Sequence, residues 1–136
     1  MDWEQRYETG DTPWDKGAPA PPLLEWLESR GSIRGDIQVL GCGSGHDVRA
    51  IAAASPGAKV GLDIAPSALD RARRFSLAGN ETYQWADLFD LPVGLTNRFD
   101  WVFEHTCFYL TAHHPLQSIS CLIIFFYPFI YGCLKT

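Results

Sequence analysis

Positive charge is the first thing this 136-residue sequence is short of: 11 Lys and Arg stand against 16 Asp and Glu, for a net charge of -5. A phosphate backbone binds through counterion release onto a cationic surface, so nucleic acid is not an expected partner. Cysteine is sparse too. Cys42, Cys107, Cys121 and Cys133 are widely spaced, form no C-x-x-C pair and follow no amino-terminal signal-peptide pattern, which predicts reduced thiols and a cytoplasmic setting. The cysteines and histidines show no zinc-ligand spacing, so no metal is expected. Internal repeats at a solenoid period and low-complexity segments are also missing, which excludes repeat arrays and disordered linkers.

What the chain does have is enough length for one domain, in which a core burying roughly two-thirds of the unfolded surface is feasible. Residues 2–22 are rich in aromatics, Gly and Pro, with Trp3, Tyr7 and Trp14 spread through them on no strand or helix repeat; this reads as an ordered lid. Pro21 and Pro22 suit the first turn of a helix, Leu23, Leu24 and Leu27 supply its apolar side, and Gly31 is placed to stop it. Ile37, Val39 and Leu40 then form a short β run ending in Gly41-Cys42-Gly43-Ser44-Gly45, after which Val48, Ile51 and Ala52 take helical spacing.

A second strand over residues 59–64 carries Asp63 at its end, and Pro66 opens a helix whose stripe is Ala65, Leu69 and Ala72. Residues 82–86 and 99–103 are the third and fourth strand candidates. Alternating βα units predict an α/β fold, a Rossmann-like doubly wound parallel sheet with about four recognisable strands. Beyond Tyr109 the only Lys, Arg, Asp or Glu is Lys135, and residues 119–134 are largely apolar around Pro128. That run is shorter than the ~20 residues of a spanning helix, so a buried or aggregation-prone tail is expected ahead of a membrane segment. No βα pattern is recognised there, which leaves the fourth strand unpaired on one side. The division expected is residues 1–108 and a divergent apolar tail, 109–136.

The chemistry is expected at the carboxyl ends of the strands, near the point where strand order reverses, and the glycine loop belongs there. Gly41, Gly43 and Gly45 let the backbone turn sharply and let a ligand lie against main-chain atoms. Their spacing is G-x-G-x-G, not the G-x-G-x-x-G that seats a pyrophosphate, so the ligand is expected to lack one. Asp63 is placed to accept hydrogen bonds from ribose hydroxyls, and Asp87, at the end of the third strand, to face the same crevice beside an adenine edge. A strand-terminal Asp taken alone is more often a turn cap; the order of loop and acids raises the odds.

The segments Gly41-Cys42-Gly43-Ser44-Gly45-His46-Asp47, Gly61-Leu62-Asp63-Ile64 and Ala86-Asp87-Leu88-Phe89 resemble the Rossmann-like methyltransferase superfamily. Trp3-x-x-x-Tyr7, Gly10-Asp11-Thr12-Pro13-Trp14-Asp15-Lys16-Gly17 and the block 99–108 are similar to the thiopurine methyltransferase family, especially its thiol and halide methyltransferase branch. The match runs over residues 3–108. Two departures stand out: family members usually carry a further Val-Pro or similar pair before the first glycine, and the family's later helix, strands and substrate-pocket residues are not recognised in the tail.

The resemblance implies S-adenosylmethionine as cofactor and a small thiol or halide as methyl acceptor. It implies that Trp3, Tyr7 and Trp14 close over the cofactor, that Gly41 and Asp63 hold its methionine and ribose parts, and that Asp87 and Leu88 border the adenine. His105 would contact the cofactor near the acceptor. Aromatic faces attract a sulfonium cation by ~0.5 to 2 kcal/mol, which agrees with that lid, although the same residues could be plain core. Transfer to a soft anion needs alignment and water exclusion, whereas a thiol must lose a proton, for which His105 or Glu104 is the candidate. Two other readings stay open: a non-catalytic, truncated cofactor-binding fragment, and a nicotinamide-dependent oxidoreductase, which would need different glycine spacing.

Overall fold

The computed structural model describes residues 1–30, 33–96, 98–105, 121–126 and 129–135, the last two segments by their backbone. The elements run α1 (Trp3–Thr9), α2 (Pro21–Arg30), β1 (Ile37–Leu40), α3 (His46–Ala54), β2 (Lys59–Asp63), α4 (Pro66–Arg73), β3 (Glu81–Trp85), a 3-10 turn (Val93–Leu95), β4 (Trp101–His105), β5 (Cys121–Phe126) and β6 (Phe129–Lys135). They form one sheet of order β3-β2-β1-β4-β5-β6. The first five strands are parallel and β6 runs antiparallel to β5.

The Rossmann-like parallel sheet is therefore as expected, with two strands beyond the four recognised. The tail was read as lacking a βα pattern, but the antiparallel β5–β6 pair needs no helix between its strands. β4 is paired on both sides, which removes the bare edge expected there. Gly31 and the end of the block after His105 lie outside the described residues.

The interior of the sheet follows from covering both of its faces, so that β1 and β2 are buried along their whole length and read as near-continuous apolar runs. Side chains alternate between faces. Ile37, Val39 and Phe103 pack with Leu23, Trp26 and Leu27 of α2 and Val48 and Ile51 of α3. Leu40, Val60, Leu62 and Val102 pack on the other side with Ala86, Leu95 and Phe99. Two charged groups caught in this interior are paired: Lys59 Nζ donates to Pro56 O (2.6 Å) and Gly57 O (2.9 Å), and the Glu81 carboxylate accepts from the amides of Ala78 and Gly79.

The amino-terminal segment differs from its sequence reading. Trp3 and Tyr7 sit one turn apart on α1, which Asp2 caps by accepting from Gln5 N (3.0 Å) and Gly10 ends at φ 76°. Asp2 and Gly10 are ordinary start and stop signals, and the aromatic-rich composition around them hid a single short helix.

Candidate functional site

Register alone assembles the carboxyl edge of the sheet. Leu40 lies opposite both Leu62 and Glu104, so the next rank along the strands is Gly41, Asp63 and His105. Strand order reverses between β1, whose chain leaves toward β2, and β4 on its other side, which is where an open α/β sheet leaves a crevice. Although β1 is only four residues long, Cys42 N still donates to Leu62 O (2.9 Å), so the glycine loop departs level with the end of β2.

The loop and Asp63 are one unit. The Asp63 carboxylate accepts from Gly43 N (2.8 Å) through Oδ2 and from Ala65 N (2.9 Å) through Oδ1, tying the β1 loop to the turn that opens α4. Burial pushes its carboxyl above the ordinary range, against the lowering effect of those amides. Gly43 has φ 53°, and a Cβ on it would stand 2.7 Å from the Tyr7 hydroxyl oxygen. Gly45, at φ 79°, faces Tyr83 and Arg49 instead, so its lack of a side chain serves packing. Gly41, at φ 59°, borders the cleft.

The aromatic segment is fastened on two sides. Toward α4, Glu4 accepts from Ser67 N (3.0 Å) and Ser67 Oγ (2.5 Å), and Arg71 Nη2 donates to Tyr7 O. Trp14 packs edge-on against Trp3 and Tyr7, at 5.4 and 5.8 Å between ring centroids, and Trp14 Nε1 donates to the Tyr7 hydroxyl (3.1 Å). Burial pushes the Tyr7 phenol up to about 12, so the hydroxyl keeps its proton.

Toward α3 the fastening is a polar chain that sequence reading missed. Asp15 accepts from Ser44 Oγ (2.6 Å) and Gly17 N (2.9 Å), and its Oδ1 lies 3.0 Å from His46 Nε2. Arg49 Nη2 lies 3.0 Å from His46 Nδ1 and Nη1 donates to the Tyr83 hydroxyl (3.2 Å). A guanidinium has only donors, so Nδ1 accepts and Nε2 carries the imidazole proton toward Asp15. Burial opposes ionisation of Asp15, but the bonds from Ser44 and Gly17 and the His46 ring outweigh it and hold the carboxyl below its usual value. Asp47 adds a second tie, accepting from Ala20 N (2.8 Å); burial raises its carboxyl.

Between these fastenings lies a cleft of about 180 Å³ bordered by Tyr7, Trp14, Gly41, Cys42, Ser44, His46, Asp47 and His105, with Asp15, Lys16 and residues 18–21 along one wall. Of the residues expected to act, the structure brings Tyr7, Trp14, Gly41 and His105 together here. Gly43 and Asp63 form the floor behind the loop, Gly45 turns away, and Trp3 backs Trp14. His105 Nε2 is buried and has no hydrogen-bond partner among the described residues. Glu104, which was paired with His105 as an acid–base candidate, is buried on the opposite face of β4, alongside Leu40, and does not border the cleft. Burial, and then the charge of Asp63, push the Cys42 thiol well above its ordinary range, so it is no nucleophile. Among the described residues no group of three His, Cys, Asp or Glu could hold a metal, and no helix is long and apolar enough to cross a membrane.

Asp87 and Leu88 lie apart from the cleft, past the end of β3. Asp87 Oδ1 accepts from Phe89 N (2.9 Å), and Leu88 packs partly into the core. Between them and Asp63 the structure exposes apolar surface: Ile64, Trp85 and Phe89 are 41%, 53% and 56% exposed, and Trp85 Nε1 donates to Ile64 O (2.8 Å). Sequence reading had no role for Trp85, although register places it opposite Asp63.

The family model described as thiopurine S-methyltransferase matches residues 1–113. A probable thiol methyltransferase 2 of Arabidopsis thaliana is 38% identical over 111 residues, covering 78% of this chain and 47% of that protein. A thiocyanate methyltransferase 1 of Brassica oleracea is 38% identical over 102 residues, 65% of this chain and 44% of that protein. A solved structure of an S-adenosylmethionine dependent methyltransferase from Mesorhizobium loti is 30% identical, with a TM-score of 0.53 over 65% of this chain and 39% of that one. The chain thus spans less than half the length of the curated relatives it matches. The matched stretch takes in the aromatic segment, the glycine loop, Asp63 and β4, and the chain belongs to the thiopurine S-methyltransferase family.

Proposed function

We propose that this chain is the cofactor-binding part of an S-adenosylmethionine-dependent methyltransferase acting on a small thiol or halide. The observation that carries the reading is the cleft at the switch point of the sheet. It has a glycine loop on one side, tied down by Asp63 and roofed by Tyr7 and Trp14, and the orphaned His105 Nε2 on the other. A Cβ at Gly43 would fill the space under Tyr7.

In this reading Gly41 and the loop hold the methionine portion, Asp63 the ribose, and Asp87 and Leu88 the adenine edge, with the exposed Ile64 and Trp85 as apolar surface beside it. Asp63 has spent one lone pair per oxygen on backbone amides, and a carboxylate has about four acceptor sites in all, so hydroxyls can still be bound. Trp3, Tyr7 and Trp14 provide π surface for a cation and keep water from the reacting end. When bound, S-adenosylmethionine supplies a methyl group already activated by a cationic sulfur.

For an anionic acceptor such as a halide, Tyr7, Trp14 and the apolar wall of residues 18–21 exclude water and align the partners; no proton moves. For a thiol, His105 Nε2 takes the sulfur's proton, being the buried acceptor without a competing bond. Glu104 acts, if at all, through the backbone of β4. Residues 1–108 carry this chemistry, β5 and β6 of the tail 109–136 extend the sheet, and the setting is the cytoplasm, where the scattered cysteines remain thiols.

The test is methyl transfer from labelled cofactor to an aryl thiol, iodide and thiocyanate. Transfer above background is expected. His105→Gln should lower the rate with the thiol near neutral pH by about 10²-fold or more and leave iodide within a few-fold, because only the thiol has a proton to lose. Tight product binding with no acceptor methylated would reduce the chain to a cofactor-binding fragment.

A further inference from the structure

Asp15 and His46 are 31 residues apart, both line the cleft, and their pairing fixes its wall. Asp15 belongs to the amino-terminal segment; Ser44 and His46 belong to the glycine loop and the first turn of α3. The imidazole cannot serve as a free base here, because Arg49 occupies Nδ1 and Asp15 occupies Nε2. Both side chains are largely enclosed, at 17% exposure for His46 and 18% for Asp15. Trp14 precedes Asp15 directly, and its indole donates to the Tyr7 hydroxyl above Gly43. Moving Asp15 therefore moves the ring that roofs the cleft. The opposite fastening, Glu4 on Ser67, holds α1 and leaves residues 12–17 to Asp15 alone among the side-chain ties to α3 and the glycine loop ahead of Ala20.

Resting on the methyltransferase reading above, we propose that Asp15 and His46 form a latch that positions Trp14, against Tyr7, over the cofactor, so that the release rate of the cofactor is set by the breaking of this pair. Ser44 adds a third point that keys the latch to the glycine loop. Arg49 sets the imidazole's orientation from behind and is braced by Tyr83. Asp15 and His46 serve here as positioning residues, acting through the aromatic roof.

Two readouts on the full chain separate this from a merely structural role. Amide exchange over residues 12–17 in the ligand-free chain, and stopped-flow release of S-adenosylhomocysteine followed by tryptophan fluorescence, are measured for Asp15→Ala, Asp15→Asn, His46→Ala and Ser44→Ala. Asp15→Ala is expected to speed both exchange and release about tenfold, the loss of one well-made charged hydrogen-bond set. Asp15→Asn, which keeps an acceptor for His46, should recover part of that, and Asp15→Ala/His46→Ala should add little to either single change. If Asp15→Ala does not fold, Ser44→Ala decides, with a rise of about threefold expected in both readouts. A cooperatively folded variant whose exchange and release match the parent overturns the latch. Failure of the parent chain to bind S-adenosylhomocysteine overturns the methyltransferase reading instead, and the exchange arm still judges the latch.

Discussion

The two sides of the crevice are built differently. On the α3 side, Asp15, Ser44, His46, Arg49 and Tyr83 form an unbroken run of polar contacts, and Asp47 adds another, so that wall stands ready before any ligand arrives. On the β2–β3 side, Ile64 and Trp85 leave apolar surface in water, and only Asp63 is strongly bound, by two backbone amides. The polar wall costs desolvation, seen in the raised Asp47 carboxyl, while the apolar edge is kept open for a flat ring to cover. A ligand with a charged, shape-demanding end and a flat aromatic end fits that division.

The largest change expected follows from the point where both sides meet. Gly43→Ala places a methyl 2.7 Å from the Tyr7 hydroxyl at φ 53°, and should cost about 2 kcal/mol or more of stability and abolish S-adenosylhomocysteine binding, read by denaturant melts and calorimetry. Next comes Asp63→Asn, which turns an amide NH2 toward one of two backbone donors. A loss of about 2 kcal/mol in stability and about 100-fold in cofactor affinity is expected, and an effect on affinity without one on stability would separate the ribose role from the tie.

A pH comparison of Asp47→Asn with Asp15→Asn sharpens the contrast between carboxylates. The Asp47 carboxyl is raised by burial, so its ionised form carries a folding penalty that is complete above its folded pKa and relieved as pH falls to the unfolded value of about 3.9. Asp47→Asn, which retains the acceptor for Ala20 N, is therefore neutral or stabilising at pH 7 and loses any advantage below about pH 4. Asp15 is lowered, so its contribution is present above about 3.9 and lost as pH falls through its folded value; Asp15→Asn should destabilise at pH 7 by about 1 kcal/mol and converge with the parent in acid. Urea melts at pH 7 and at about pH 2 give both signs. The smallest effect expected is Trp85→Ala, within about 0.5 kcal/mol in stability and about tenfold in cofactor affinity, because the ring is exposed until something stacks on it.

The sequence carried the sheet and its switch point because local signals agree: a β run into glycines, a helix with Val48, Ile51 and Ala52 inward, and Asp63 at a strand end. Trp3 and Tyr7 read as lying on no repeat although they stand one turn apart between Asp2 and Gly10, because aromatic and glycine content masked the short helix. Asp15 and His46 were not legible as partners: they stand in separate motifs, and only the fold of residues 12–17 over α3 joins them. The tail misled by its apolar monotony, since β5 and β6 show no alternation and their pairing is decided by β4. Exposure of Trp85 is a property of the β3 edge, which composition cannot show.

The central claim is that Asp63 and the glycine loop form a working cofactor floor, and calorimetric titration of the full chain with S-adenosylhomocysteine beside Asp63→Ala tests it most directly. Saturable binding by the parent, lost in a variant that still melts cooperatively, is the result the account predicts. A parent chain that melts cooperatively and takes up no S-adenosylhomocysteine would contradict it.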